Sequence, residues 1–287
     1  MPKDILSLIQ SEMKGFSKGQ KLIGNYILNS YDKAAFMTAS KLGKTVQVSE
    51  STVVRFAAEL GYDGYPAMQK ALQEMIRNKL TAVQRMEVSN DRMSNHDILP
   101  MVMHADAENI RLTLEEVDRG SFDAAVEAIL SAQKIYILGV RSAYALSSFL
   151  GFYFNMMLEN VVVVHTNSSS ELFEQILRVG EEDVILGISF PRYSKRTLRA
   201  MGYAKERGAT AIAITDSQAS PLAGIADHTL FAKSDMVSFV DSLVAPLSLV
   251  NALIAAVSRK KGAEVEGTFR TLEQIWDEYQ VYEKSDE

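Results

Sequence analysis

The stretch Thr38–Tyr62, TASKLGKTVQVSESTVVRFAAELGY, decides how the first part of this chain folds. Ala39 and Leu42 give a short first helix its apolar side, and Val46-Gln47-Val48 breaks it. Ser49 then stands where an N-cap belongs, with a hydroxyl to accept the unpaired amide protons of a second helix. In that helix Val53, Phe56, Ala57 and Leu60 recur at helical spacing and form one stripe. Gly61 follows as the residue that closes it. Two short helices about a tight break, the second with its own apolar stripe, read as a helix-turn-helix. The outward side of the second helix opens with Glu50, Ser51 and Thr52, and Arg55 lies one turn on. A recognition helix reads base edges from its N-terminal turn. The expected DNA contacts are therefore Ser49, Ser51, Thr52 and Arg55, joined by Lys41 and Lys44. The same pattern also suits a plain helical hairpin packing a core.

The distribution of charge favours the first alternative. Residues 1–80 hold 11 Lys and Arg against 7 Asp and Glu, whereas residues 81–287 hold 19 against 29. The chain as a whole is acidic, at −6, yet its head is basic, which places phosphate attraction where the helix-turn-helix lies. No cysteine is present, so disulfides and thiolate metal sites are excluded. His96, His104, His165 and His228 form no short metal-binding pair, and neither a metal nor a cofactor is expected. No apolar run reaches membrane-span length, and residues 2–4 do not begin a secretory signal. A cytoplasmic protein with no membrane partner is expected.

The segment to Leu80 reads as helical throughout. Ser17 begins a helix burying Leu22, Ile23, Tyr26 and Ile27; residues 61–66 are a turn cluster, and Ala67 to Leu80 resumes helix. Residues 81–96 are polar, with Ser89-Asn90-Asp91 and Ser94-Asn95-His96 as breakers, and read as a linker. A helix from about Asp97 to Val117 carries Ile98, Met101, Val102, Ala105, Ile110 and Leu114 on an apolar face. From Phe122 helices alternate with apolar runs. Strands are expected at Lys134–Leu138, Val161–His165, Asp183–Ser189, Thr210–Thr215 and His228–Phe231, with helices at Ala143–Leu158, Glu171–Val179, Lys195–Arg207 and Pro221–Ile225. Runs such as IYIL, VVVV and AIAI are strands buried on both faces, as a parallel sheet between helices requires. A long apolar helix (Ser242 to Ser258) and a final helix with Phe269, Leu272, Trp276 and Tyr279 in a packing or subunit-contact stripe complete the chain. The expected fold is α/β: an all-α helix-turn-helix domain (1–80), a linker and connecting helix (81–121), a doubly wound five-stranded parallel-sheet domain flanked by helices (122–262), and a C-terminal helix (263–287).

Ligands of such sheets bind where loops leave the carboxyl ends of the strands. Three loops lie there. Gly139-Val140-Arg141-Ser142-Ala143 offers a sharp turn and a helix N-terminus to an anion, or is a plain strand-to-helix turn. His165-Thr166-Asn167-Ser168-Ser169-Ser170-Glu171 supplies redundant helix caps, with His165 read as a satisfied strand-end histidine. Ser189-Phe190-Pro191-Arg192-Tyr193-Ser194-Lys195-Arg196-Thr197 gathers hydroxyls and three cations at one strand end. Arg141 and Arg192 each suit a two-pronged clamp on phosphate or carboxylate. The expected ligand contacts are Gly139, Arg141, Ser142, Ser189, Arg192, Tyr193 and Ser194.

In VSESTVVRFAAELGYDGY (Val48–Tyr65) and AKERGATAIAITDSQASPLAGIAD (Ala204–Asp227) the chain resembles the RpiR/MurR family of bacterial transcription regulators. The resemblance implies an N-terminal helix-turn-helix joined to a sugar isomerase (SIS) domain that senses a phosphosugar. Two loops depart from the family pattern. Where SIS domains read Gly-x-Gly-x-Ser, this chain has Arg141 at the second glycine and Ala143 at the phosphate-binding serine, with Ser142 beside it. Where they read Ser-x-Ser-Gly-x-Thr, Ser189 and Ser194 keep the outer hydroxyls, Pro191 removes the middle one, and Arg192 replaces the glycine. The resulting expectation is a non-enzymatic, homo-oligomeric (dimer or tetramer) regulator of a double-stranded DNA operator. Its effector is a small anionic metabolite, either a phosphosugar or a related phosphorylated or carboxylated acid. The alternatives are a phosphosugar isomerase with an appended helical domain, in which Glu171 or His165 supplies the base, and a head that binds protein rather than DNA.

Overall fold

Hydroxyl caps and apolar stripes fix the helices of the N-terminal part. The computed structural model describes residues 5–77, 81–93, 97–166 and 168–283. Met1–Ile98 with Val237–Val240 form one unit, and Leu99–Met236 with Asp241–Glu287 form a second. In the first, α1 (Ile5–Glu12) precedes α2 (Lys18–Asn29), which Ser17 and Gln20 start with a reciprocal capping box. The short α3 (Tyr31–Ala34) leads to α4 (Ala39–Thr45) and α5 (Glu50–Glu59), and α6 (Gly64–Arg77) follows. Ile9, Ile23, Ile27, Leu42, Phe56, Met68, Leu72 and Ile76 fill the core between them. Phe16 meets Phe56 with ring centroids 5.0 Å apart.

Three expectations for this unit are corrected. Leu22 is 45% exposed, because the buried stripe of α2 runs through Gln20, Ile23, Gly24 and Ile27 and passes it by. The turn after α5 ends earlier than residue 66. Gly64, Tyr65 and Pro66 already belong to α6, where a first-turn proline loses only an amide that had no helical partner. The first part of the polar stretch after residue 80 is helical rather than broken. Residues Ser89-Asn90-Asp91 lie inside α7 (Ala82–Met93), and Ser94, Asn95 and His96 fall outside the described residues. The helix is started by a second reciprocal cap: the Thr81 amide donates to Gln84 Oε1 at 3.0 Å, and the Gln84 amide to Thr81 Oγ1 at 3.2 Å. Arg85 and Ser89, one turn apart, are buried.

In the second unit α8 (Ile98–Glu116) differs from the expected apolar helix. Ile98, Ile110 and Leu114 are exposed, and the residues it buries are Asn109 and Thr113. Polar bonds hold it instead. Asn109 Nδ2 donates to the Asp235 carbonyl at 3.1 Å, the Lys233 amide to Thr113 Oγ1 at 2.9 Å, and Ser242 Oγ to Asp106 Oδ1 at 2.6 Å. After α9 (Arg119–Ser131) come β1 (Lys134–Gly139), α10 (Ala143–Met157), β2 (Val161–Val164), α11 (Ser169–Gln175), β3 (Asp183–Ile188), α12 (Lys195–Glu206), β4 (Thr210–Thr215) and β5 (His228–Phe231). Each strand agrees with its expected span to within one residue. Residues 221–225 form successive turns rather than a helix; they are closed by three-residue bonds such as Ala223 to Ser220. The helix expected over Glu171–Val179 stops at Gln175 and finishes in turns.

All five strands are parallel, in the order β2-β1-β3-β4-β5. Alternation splits their side chains between two cores. Ile135, Ile137, Leu186 and Ile214 pack with α9, α10 and α13 (Val244–Lys261), while Tyr136, Leu138, Ile185 and Ala213 pack with α11 and α12. The order reverses direction between β1 and β3, since β1 leads outward to β2 and β3 leads the other way to β4. This makes their carboxyl ends the topological switch point, where sheets of this kind bind ligands. The final helix, α14 (Ala263–Glu278), buries Val265 and half-buries Phe269, Leu272 and Trp276, while Tyr279 beyond it is exposed. No helix among the described residues is long and apolar enough to cross a membrane.

Candidate DNA-reading helix and anion-binding crevice

The approach of α4 to α5 is set by contact at the turn. A β-carbon on Gly43 would stand 2.9 Å from the Val48 carbonyl oxygen, so only glycine lets the chain fold back there. Gln47 absorbs the reversal in the left-handed region, at φ +59°. Thr38 caps α4 through the Lys41 amide, and Tyr65 fixes its approach by donating to the Met37 carbonyl at 2.7 Å. Burial pushes the Tyr65 phenol up to about 12, so it remains a donor throughout the neutral range. Ser49 caps α5, its Oγ accepting from the Thr52 amide at 3.3 Å and lying within 2.9 Å of Ser51 Oγ and 2.8 Å of Thr52 Oγ1.

Val53, Phe56, Ala57 and Leu60 are all buried, which leaves the opposite side of α5 to solvent. Lys41, Lys44, Ser49, Ser51 and Arg55 are exposed and Thr52 is half-buried. Arg55 Nε donates to the Ser51 carbonyl at 3.3 Å, which lays the guanidinium back along the leading turn. Val54 was not among the expected contacts and lies between these residues, 41% exposed. Its neighbours Val53 and Phe56 carry the buried stripe, so the sequence pattern gave it no role. An apolar side chain on a recognition face suits the methyl group of thymine.

At the crevice, Gly139 is paired opposite Ile188 at the end of β1. A β-carbon there would meet the Ala143 carbonyl oxygen at 2.5 Å and Ser147 Oγ at 3.1 Å, so α10 folds back directly against the strand end. Arg141 has φ +58° and Ser142 follows at φ −61° and ψ −33°. A left-handed residue before a right-handed one turns successive amides to one side, as in an anion-binding nest. The Ser142 hydroxyl makes no cap bond.

The loop after β3 is the more heavily braced of the two. Buried Ser189 accepts the Ser194 amide on Oγ at 3.0 Å, and Thr215 Oγ1 donates to its carbonyl at 2.8 Å. Ser194 caps α12 by accepting the Thr197 amide at 3.2 Å. Both serine hydroxyls keep a proton to donate. Arg192 is exposed at φ +66°. Tyr193 points its donor elsewhere than toward a ligand: its hydroxyl bonds Asp216 Oδ1 at 2.8 Å. Asp216, buried just beyond β4, is a further residue missed from the sequence; it is 23 residues away in the chain and brought close only by the β3–β4 pairing. The loop after β2 is occupied with itself. His165 stacks on Tyr144 at 4.2 Å, Thr166 bonds the Glu171 carboxylate, and Ser168 caps α11; Asn167 lies outside the described residues.

A helix-turn-helix head joined to a doubly wound body defines the class. Comparison with known proteins agrees in both parts. Residues 3–79 match the model of the helix-turn-helix domain of the rpiR family, and residues 128–256 match that of the SIS domain. The HTH-type transcriptional regulator HexR of Escherichia coli is 25% identical over 284 residues, covering 96% of this chain and 95% of HexR. The sugar isomerase domain of an RpiR transcription factor from Sphaerobacter thermophilus is 30% identical with a TM-score of 0.60, over 62% of this chain and 99% of that one. The Vibrio vulnificus NanR protein, complexed with ManNAc-6P, shares the fold at 21% identity and a TM-score of 0.59, over 96% of this chain and 98% of its own. The chain belongs to the RpiR family of helix-turn-helix transcriptional regulators, with a SIS domain as its body.

Proposed function

We propose that this regulator binds operator DNA through α5 and senses a small anionic metabolite, a phosphosugar or a related phosphorylated or carboxylated acid, at the crevice between β1 and β3. The observation that carries the second half is the charge at the start of α12. Lys195 and Arg196 occupy its first turn, which holds no acidic residue, and Arg192 stands just before it. Cations are unfavourable at the positive end of a helix dipole, and a bound anion would offset that cost. Gly139, Arg141 and Ser142 line the other side of the crevice, and Ser189, Arg192 and Ser194 the near side. Tyr193 acts through its bond to Asp216 by holding the loop in place. NanR, a relative of the same fold, is complexed with a phosphorylated sugar.

On the DNA side, Lys41, Lys44, Ser49, Ser51, Thr52 and Arg55 contact phosphates and base edges in the major groove. Two heads in a dimer, or four in a tetramer, address a palindromic site. Effector binding shifts operator affinity through a coupling of about 1–3 kcal/mol. The protein is not assigned a catalytic role. An isomerase needs a base placed at a substrate carbon; of the two candidates, Glu171 accepts the Thr166 hydroxyl and His165 stacks on Tyr144. The test is Arg192→Ala in gel shifts with ManNAc-6P and glucose 6-phosphate as probes. Operator affinity should stay within about twofold of the parent while the response to sugar phosphate disappears. A variant that still responds at the parent's effector concentration refutes the crevice assignment.

A further inference from the structure

The start of α2 holds α5 along one side. Thr52, Phe56 and Glu59 are four and three residues apart, so they are neighbours on that side of the helix. Each meets a residue at or just before the first turn of α2. A β-carbon on Gly19 would stand 3.4 Å from Thr52 Cγ2 and 3.5 Å from Val48 Cγ1, so the α2 backbone itself lies against the leading turn of α5. Phe16 packs on Phe56, with ring centroids 5.0 Å apart. At the other end, Gln20 Nε2 donates to the Glu59 carboxylate. With a rise of about 1.5 Å per residue, the contacts extend over about 10 Å of α5.

Gln20 joins two tasks in one amide. It is buried, and its Oε1 accepts the Ser17 amide at 2.8 Å to complete the capping box that starts α2. The same planar group gives its Nε2 protons to Glu59, the last residue of α5. The bond that caps α2 therefore also orients the donor that holds the far end of α5. Orientation matters for a reading helix. A binding group must be held to within about 0.5 Å and 10–20° of its productive geometry. Any turn of α5 about its own axis moves Ser51 and Arg55 together, away from the base edges they would meet.

We propose that Gln20 is a positioning residue for DNA reading: through Glu59 it sets the aim of α5 without itself touching DNA. This rests on α5 being the reading helix. The test uses the full chain and a duplex that the parent selects from a random pool. The readout is the ratio of affinities for that duplex and for a scrambled one, in which general effects of charge cancel. Gln20→Glu keeps the cap, since glutamate also accepts the Ser17 amide, but sets a carboxylate against Glu59. It should lower the ratio about tenfold, the worth of one good base contact. Gln20→Glu combined with Glu59→Gln keeps the parent's net charge and rebuilds the amide–carboxylate bond in the opposite sense. This swap should restore the ratio to within about twofold. Glu59→Ala changes an exposed residue and should lower the ratio as Gln20→Glu does, so it decides the matter if circular dichroism finds Gln20→Glu unfolded. A ratio unchanged in either single variant while folded, or a loss that the swap does not restore, overturns the positioning role. If Arg55→Ala still abolishes discrimination in that case, α5 remains the reading helix. If no duplex is selected, or Arg55→Ala leaves the ratio intact, DNA reading through α5 falls as well.

Discussion

Arg141 and Arg192 hold backbone conformations, at φ +58° and +66°, that a β-carbon disfavours by about 1–2 kcal/mol. Glycine would remove that strain, but it would also loosen the unfolded chain, by about 0.4–1 kcal/mol. Comparing two substitutions separates the backbone from the guanidinium. Arg141→Ala keeps the β-carbon and loses the charge; Arg141→Gly loses both. Urea melts should find the glycine variant more stable than the alanine variant by about 1 kcal/mol, with anion binding weakened alike in the two. Equal midpoints would mean that the loop relaxes and stores no strain. Strain of this kind is not legible in a sequence. Arginine ordinarily avoids the left-handed region, so the residues alone suggest a loop rebuilt around side chains. The structure instead keeps a glycine-like backbone and adds the guanidinium to it.

Among the elements, α5 divides its work cleanly between two faces. Its buried stripe holds the head together: Phe56→Ala should destabilise that unit by about 3–5 kcal/mol, seen as an earlier first transition in denaturant. Its outer face has the opposite profile. Arg55→Ala should leave the melting curve and the oligomeric state unchanged yet abolish binding to a selected operator fragment in a gel shift at fixed salt. Intact binding in that assay would remove α5 from the recognition role. Most elements were readable because each obeys one dominant rule. The strands are unbroken apolar runs, and α2, α4 and α5 begin at hydroxyl caps. Among those misread, α7 and α8 show how local signals conflict. In α7 the Ser-Asn-Asp run outweighed the Thr81–Gln84 capping box. In α8 the apolar residues suggested a buried face, while the packing uses Asn109 and Thr113, whose partners around Lys233 and Asp235 are more than a hundred positions away. Long-range polar pairs of this sort, like Tyr193 with Asp216, become visible only when the sheet brings them together.

Across the whole molecule, charge is segregated along the chain: 11 cations to 7 anions in residues 1–80, and 19 to 29 beyond. Operator affinity should therefore fall steeply with salt. Lys41→Ala or Lys44→Ala should each lower the slope of log affinity against log salt by about one per head, because each lost phosphate contact keeps one counterion on the DNA. An unchanged slope would show that the lysine in question does not touch phosphate. The two parts also differ in how far apart in sequence their contacts lie. Helices α4, α5 and α6 pack among near neighbours, whereas β1 cannot complete its pairing until β3 has been made, and β3 waits in turn for β4. Local contacts form quickly and parallel pairing slowly, so during synthesis α5 is folded while the β1–β3 edge of the sheet is still incomplete. If the two parts act as proposed, a chain stopped short of β4 would bind DNA without being able to respond to an effector.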